Sequence, residues 1–361
     1  MSDPTTTLPD GRPRARGLGI AFEGEPGAFN AITDVPGVEV GAATVIHDKG
    51  PARTGVTAVF PHGKAGALDS VWAGLSSFNG NGEMTGSHWI AEAGHFLGPV
   101  CITNTHGVGM THHAVTRWLT RHPAYDGVAD PWLLPVVAET CDAFLNDMNG
   151  FHVTEAVVFE ALEQAAGGPL AEGNVGGGTG MICYEFKGGT GTASRQVAIG
   201  AERYHLGALV QANFGRRSQL TVRGVPVGRQ ITEHSVFSGE QGSIIILVAT
   251  DAPLLPIQLQ RVARRAGLGM GRTGTSGGNG SGDIFLAFST GMPVTEGAAS
   301  PPPRLSYLPN DALDPIFAAT VEAVEEAILN ALVAAETMTG LKGAKVHALD
   351  HGRLRQLLGL A

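Results

Sequence analysis

The chain is poor in cysteine, in basic residues and in long apolar runs, and each shortage removes a class of protein. Cys101, Cys141 and Cys183 are odd in number and carry no CxxC spacing. Such a set fits buried reduced thiols rather than a disulfide frame or a zinc site. Lysine and arginine total 24 against 33 acidic residues, a formal net charge of -9. Nucleic acid and anionic membrane are held by basic faces, so neither is an expected partner. No run of about 18 apolar residues occurs, so no membrane span is expected. The first ten residues, Met1 to Asp10, lack the apolar core of a signal peptide, and the expected compartment is the cytoplasm. Only 16% of residues are charged while 43% are hydrophobic, the balance of a compact globular protein.

What the chain does have is glycine. The 52 glycines lie in short clusters between apolar runs, without collagen period or low-complexity tract, and read as many tight turns. Residues 1–18 read as a flexible arm ending in the basic patch Arg12-Pro-Arg-Ala-Arg16. Val56–Phe60 and Pro99–Asn104 read as strands. Helices are expected over His112–Arg121, over Trp132–Asn146 from apolar residues at helical spacing, and after Thr154, stopped by Gly167 and Gly168. Strand candidates follow at Met181–Phe186, Arg195–Ile199, Leu206–Asn213, Leu220–Val222 and Ser243–Ala249. Leu255–Ala266 is an amphipathic helix, Ile284–Ser289 a strand, and Ser300–Pro303 an exposed linker. Asp311 caps a long helix, Leu313–Met338, and Lys345–Leu349 is a final edge strand. Grouped strands flanked by grouped helices favour an α+β layered architecture, two packed sheets covered by helices on both outer faces, in one domain spanning 1–361.

The stretch around which the rest is read is Phe237 to Thr250. A polar, glycine-punctuated turn runs directly into Ile244–Val248, an apolar and mostly β-branched run that reads as a buried strand. Ser243 stands at the mouth of that strand and Gly242 precedes it. The residues alone describe a tight turn entering a strand. They also describe a hydroxyl held rigidly enough to attack the Gly242 carbonyl, after which Ser243 is an amino terminus with nucleophile and amine on one residue. Ser281-Gly-Asp283 repeats the loop-to-strand setting, an ordinary polar turn or a serine and carboxylate able to orient Ser243. Glu139 is a carboxylate in a mainly apolar segment and calls for a cation, either an arginine of the chain or a substrate ammonium. Asn213 closes a strand and can donate its side-chain amide to an oxyanion.

Other motifs carry less. Gly176-Gly-Gly-Thr-Gly180 lacks the Gly-Lys-Ser/Thr of a phosphate loop. Gly277–Asp283 has one carboxylate where a calcium loop needs several oxygens. His106, His112 and His113 have no HExxH or HxH spacing and read as hydrogen-bonded or surface histidines. No metal or cofactor is expected.

Taken together, Arg14–Gly19, Asn30–Val38, Thr105-His-Gly-Val-Gly109, Ala138-Glu-Thr140, Leu145–Asp147, Gly173–Met181, Gln211–Gly215, Gly242-Ser243 and Gly280–Asp283 resemble one family over nearly the whole chain. It is the self-processing DmpA-like aminopeptidase family, which holds L-aminopeptidase/D-esterase and the β-peptidyl aminopeptidases. The resemblance implies a four-layer α/β/β/α sandwich like that of the N-terminal nucleophile hydrolases, with different connectivity. It implies self-cleavage between Gly242 and Ser243 into chains 1–242 and 243–361, and assembly as a tetramer. It makes Ser243 the nucleophile, Ser281 and Asp283 its partners, Asn213 the oxyanion donor and Glu139 the group that holds the substrate amine. The substrates implied are short peptides, amides or esters with an L-, D- or β-amino acid at the amino terminus. Some relatives place Glu where Asp283 stands, and relatives often carry an aromatic residue where Cys141 stands. Two rival readings are an acyltransferase of the ornithine acetyltransferase type, which uses threonine at the new terminus, and an unprocessed ligand-binding protein.

Overall fold

The computed structural model describes residues 3–48, 50–127, 132–237, 242–294 and 304–360. The expected linker Ser300–Pro303 lies outside the described residues. In chain order the strands are β1 (Glu39–Ile46), β2 (Arg53–Phe60), β3 (Val71–Gly80), β4 (His95–Phe96), β5 (Val100–Asn104), β6 (Val136–Thr140), β7 (Ile182–Cys183), β8 (Phe186–Lys187), β9 (Gly189–Ile199), β10 (Glu202–Asn213), β11 (Ser243–Thr250), β12 (Gly282–Ser289), β13 (Met338–Thr339) and β14 (Lys345–Val346). The α-helices are α1 (Ser87–Ala93), α2 (Val108–Leu119), α3 (Glu155–Glu163), α4 (Pro256–Arg272), α5 (Asp314–Ala334) and α6 (His351–Leu357).

A six-stranded sheet in the order β4-β3-β12-β11-β10-β9 packs against a four-stranded sheet, β1-β2-β5-β6. The reason is legible in β11, whose residues are all buried. Side chains alternate across a strand, so a run that is apolar throughout must have cover on both faces. Ile244, Ile246 and Val248 pack with Val262 and Ala266 of α4 and Ile328 and Leu332 of α5. Ile245, Leu247 and Ala249 point the other way and meet Val59, Val100, Ile102 and Val136 of the smaller sheet. The outer face of that sheet, with Ala58, Phe60 and Val137, is closed by Val115 and Leu119 of α2 and Val158 and Leu162 of α3. Each such aliphatic side chain contributes about 1.5–3 kcal/mol on burial. The layers run α/β/β/α, as expected.

Several local expectations fail. Asp311 does not cap α5, whose N-cap is Leu313 without a side-chain bond, and Met181–Phe186 is split by the turn between β7 and β8. Trp132–Asn146 is not a helix: Val136–Thr140 is β6, paired in parallel with β5. A short apolar run at the sheet edge satisfies a helical spacing by accident, and Val136 and Val137 are β-branched strand formers. The N-terminal segment is no loose arm over its described residues. Arg14 is buried against Glu172, and Arg16 forms a bidentate pair with Glu326 at 2.6 and 2.8 Å. Leu220–Val222 is not a strand: Leu220 and Thr221 are irregular, and Val222 makes an isolated bridge to Val225. Cys141, finally, is exposed, while Cys101 and Cys183 are buried.

Candidate active site

The register of three neighbouring strand ends brings the singled-out residues together. In β11, Ser243 lies opposite Asn213 of antiparallel β10 on one side and opposite Gly282 of parallel β12 on the other. Ser243 Oγ accepts the Gly282 N–H at 3.1 Å and is almost wholly buried. Gly242 takes φ 139°, and a Cβ there would sit 1.8 Å from the Asn213 carbonyl oxygen. Only glycine passes through that gap, which fixes the residue before Ser243 on steric grounds. The same Cβ position is 3.4 Å from Asn213 Nδ2, so the carboxamide flanks the Gly242–Ser243 junction.

Asn213 is held at both ends. Its Oδ1 accepts the Ile182 N–H at 2.7 Å, and its Nδ2 donates to the Cys141 carbonyl at 2.9 Å. The second bond ties the large sheet to the segment just beyond β6. A side-chain amide has two N–H groups, so among the described residues one donor is left for another acceptor.

Ser281 and Asp283 stand one residue to either side of the position opposite Ser243. Two serines in register would have placed their hydroxyls together. The actual register instead turns Ser281 Oγ to Asp283 Oδ1 at 2.6 Å. Asp283 also accepts from Asn79 Nδ2 at 2.8 Å and from the backbone amide of Ile244. The pair therefore lies against the main chain that follows Ser243 rather than against its hydroxyl. Burial pushes the Asp283 carboxyl above the ordinary aspartate value, and the Ser281 and Asn79 hydrogen bonds oppose that rise.

Glu139 comes from the smaller sheet and faces this junction. Its Oε1 accepts the Glu83 N–H at 3.1 Å and its Oε2 accepts the Thr105 hydroxyl. Gly82 lies between the two walls: a Cβ on it would be 3.3 Å from Glu139 Oε1 and 3.3 Å from Gly282 Cα. Burial raises the Glu139 carboxyl above the usual glutamate value. The Thr105 and Glu83 hydrogen bonds and the charge of His106 pull it down, and Glu83 adds to the rise. Thr105 is placed by Asn104, whose Oδ1 accepts the Gly107 N–H at 2.6 Å and whose Nδ2 donates to Asp142. Asp142 is itself buried and pushed up to about 6 by desolvation.

Comparison with known proteins meets this geometry. The model of peptidase family S58 matches residues 30–346. This chain belongs to peptidase family S58. The β-peptidyl aminopeptidase BapA of Sphingosinicella microcystinivorans is 50% identical, over 96% of this chain and 92% of that protein. The solved L-aminopeptidase D-Ala-esterase/amidase of Ochrobactrum anthropi, a prototype serine aminopeptidase and variant of the Ntn hydrolase fold, superposes with a TM-score of 0.91. It is 52% identical, covering 96% of this chain and 98% of that one. A Burkholderia sp. β-aminopeptidase gives 0.88 and 47%, over 96% and 98%. The protein is thus an S58 aminopeptidase, a hydrolase of the serine type, and its α+β architecture is that of the Ntn variant.

Among the residues around this junction, sequence reasoning passed over Asn79 and Thr105. Asn79 lies near the end of β3, and nothing local marks it as a donor to Asp283. Thr105 opened the Thr105-His-Gly-Val-Gly109 motif, but no local pattern tied it to a carboxylate 34 positions on. Lys187, wholly buried a few residues before β9, was not singled out either.

Proposed function

We propose that this aminopeptidase matures by cutting itself between Gly242 and Ser243 and then works through the new amino-terminal serine. Ser243 Oγ adds to the Gly242 carbonyl, the acyl group shifts from nitrogen to oxygen, and water hydrolyses the ester. Chains 1–242 and 243–361 remain as one layered catalytic unit. In turnover, Glu139 holds the ammonium of the substrate while Ser243 attacks the carbonyl beyond it. Asn213 donates to the oxyanion, a role that contributes roughly 3–4 kcal/mol in comparable sites. The α-amine of Ser243, beside the Ser281–Asp283 pair, moves the proton. Water then releases the acyl-enzyme.

The observation that carries this reading is the junction itself. A glycine that no other residue can replace is followed by a buried serine, with a fixed carboxamide flanking both. Glu139 on the facing wall supports an anchor for an amine, because a buried carboxylate held by neutral donors is stabilised by a cation. The substrates we infer are short peptides, amides or esters, with β-amino acids accepted at the amino terminus, as the names of the most similar relatives suggest. We place the protein in the cytoplasm, where free Cys101, Cys141 and Cys183 stay reduced. We further infer a homotetramer of processed protomers, which light scattering of the purified protein tests.

Denaturing electrophoresis and amino-terminal sequencing test the central step. Two fragments are expected, the second reading Ser-Ile-Ile-Ile. Ser243→Ala abolishes both fragmentation and turnover, and turnover surviving in that variant would show another nucleophile.

A further inference from the structure

The short hairpin of β7 and β8 sets Ile182 opposite Lys187. Its turn is an unfavourable one. Tyr184 and Glu185 have φ of 51° and 62°, two successive side-chain-bearing residues in the left-handed region. Hairpins turn this way with Asn-Gly or Gly-Gly, and other residues persist there only where surrounding contacts over-determine them. Those contacts are present. The Tyr184 hydroxyl bonds Thr273 Oγ1 at 2.7 Å, and Glu185 accepts the amides of Arg217 at 2.9 Å and Val236 at 3.0 Å.

The consequence of this turn is the position of Lys187. Its ammonium is fully buried, and it donates to the carbonyls of Met181 and Gly188 at 2.9 Å each and of Gly178 at 3.4 Å. All three partners are neutral. Burial pushes the ammonium down to about 7, opposed by Cys183. A buried cation without a carboxylate is costly, so its retention calls for a use.

The Met181 carbonyl belongs to the same peptide unit as the Ile182 N–H, and that N–H donates to Asn213 Oδ1 at 2.7 Å. Ammonium, peptide and carboxamide form one chain in which each bond polarises the next. Its far end is Asn213 Nδ2, beside Gly242. We propose that Lys187 is a positioning residue for both self-cleavage and turnover. Through the Met181–Ile182 peptide it fixes the Asn213 carboxamide and strengthens its N–H as a donor to the oxyanion. The proposal rests on the reading of Asn213 given above, and Lys187 itself touches neither the scissile bond nor the substrate.

The test uses the full chain and a short peptide amide, comparing wild type with Lys187→Met, Lys187→Gln, Asn213→Ala and the Lys187→Met/Asn213→Ala double variant. Self-cleavage rate, kcat and KM are measured, with thermal melting as the check on folding. Lys187→Met is expected to lower kcat and the cleavage rate about 10- to 100-fold, the usual cost of losing a group that orients a functional one, with KM within about twofold. Lys187→Gln, which keeps an N–H donor, recovers part of the loss. In the Asn213→Ala background the Lys187 change adds nothing further. A folded Lys187→Met with wild-type kcat overturns the proposal, and so does a Lys187→Met change that costs as much in the Asn213→Ala background as it does in the wild type. Failure of the Asn213 reading looks different, because Asn213→Ala alone would then keep its kcat. If Lys187→Met does not fold, Lys187→Gln decides on the same two comparisons; if a variant matures too slowly for turnover, the cleavage rate carries them.

Discussion

The two walls of the site are built differently. Ser243, Asn213 and Asp283 project from neighbouring strands of the six-stranded sheet, where register places them and both sheet faces are buried. Glu139 projects from β6, the edge strand of the smaller sheet, and the chain passes from it into exposed Cys141 and Phe151. Position on the first wall is set by backbone pairing, which a side-chain change elsewhere does not move. On the second, Glu139 is paired opposite Thr103 of β5, but its carboxylate is aimed by Thr105 and the Glu83 amide from flanking loops, which alter without disturbing the core. On the proposed reading, the bond-making groups sit on the rigid wall and the amine anchor on the adaptable one.

Two substitutions divide the walls by effect. Asn213→Ala on the rigid wall removes the oxyanion donor, and kcat is expected to fall about 10²–10³-fold with KM little changed. The proposed self-cleavage is expected to slow with it, because both proposed reactions pass through a tetrahedral intermediate beside the same carboxamide. Glu139→Gln on the other wall removes the partner of the substrate amine. Losing one member of a buried charge pair costs roughly 2–5 kcal/mol, expected here in kcat/KM and chiefly through KM. The scissile bond carries no free amine, so Glu139→Gln still fragments at the wild-type rate on a denaturing gel. A Glu139→Gln protein that stays intact would erase the distinction between the walls.

The same distinction governs what the sequence revealed. The centre of the large sheet was legible because β10, β11 and β12 carry apolar runs, and Ser243, Ser281, Asp283 and Asn213 stand at their ends in recognisable turn chemistry. Its flanks were not, since β3 and the start of β9 are rich in glycine, serine and threonine, and in the smaller sheet β6 was missed. Five residues of β6, embedded in a segment with helical spacing, were read as helix, and the strand exists because β5 offers it a parallel partner. Arg14 and Arg16 looked like an exposed basic patch, since nothing local marks Glu172 and Glu326 as partners more than 150 positions away. Thr105, Asn79 and Lys187 act through contacts across sheets or between loops, and long-range pairing leaves no periodic trace. Chemistry carried by a strand end was visible, whereas the groups that hold it in place appeared only with the fold.

The smallest expected effect also tests the second wall most finely. In its proposed role Glu139 binds an ammonium only when ionised, and burial already raises its pKa. As pH falls through that raised value the carboxylate takes a proton and KM climbs. The Thr105 hydroxyl donates to the ionised form and so works against the rise. Thr105→Val keeps the shape and removes the donor, leaving desolvation less opposed, so the pKa moves further up. The acid limb of KM against pH is therefore expected at higher pH in Thr105→Val than in the wild type, with kcat unchanged and KM within a few-fold of wild type well above the limb. Steady-state kinetics from pH 5 to 9 on both proteins read this directly. A limb that stays in place would mean that the group titrating in substrate binding is not Glu139, and the amine anchor would have to be sought elsewhere on that wall.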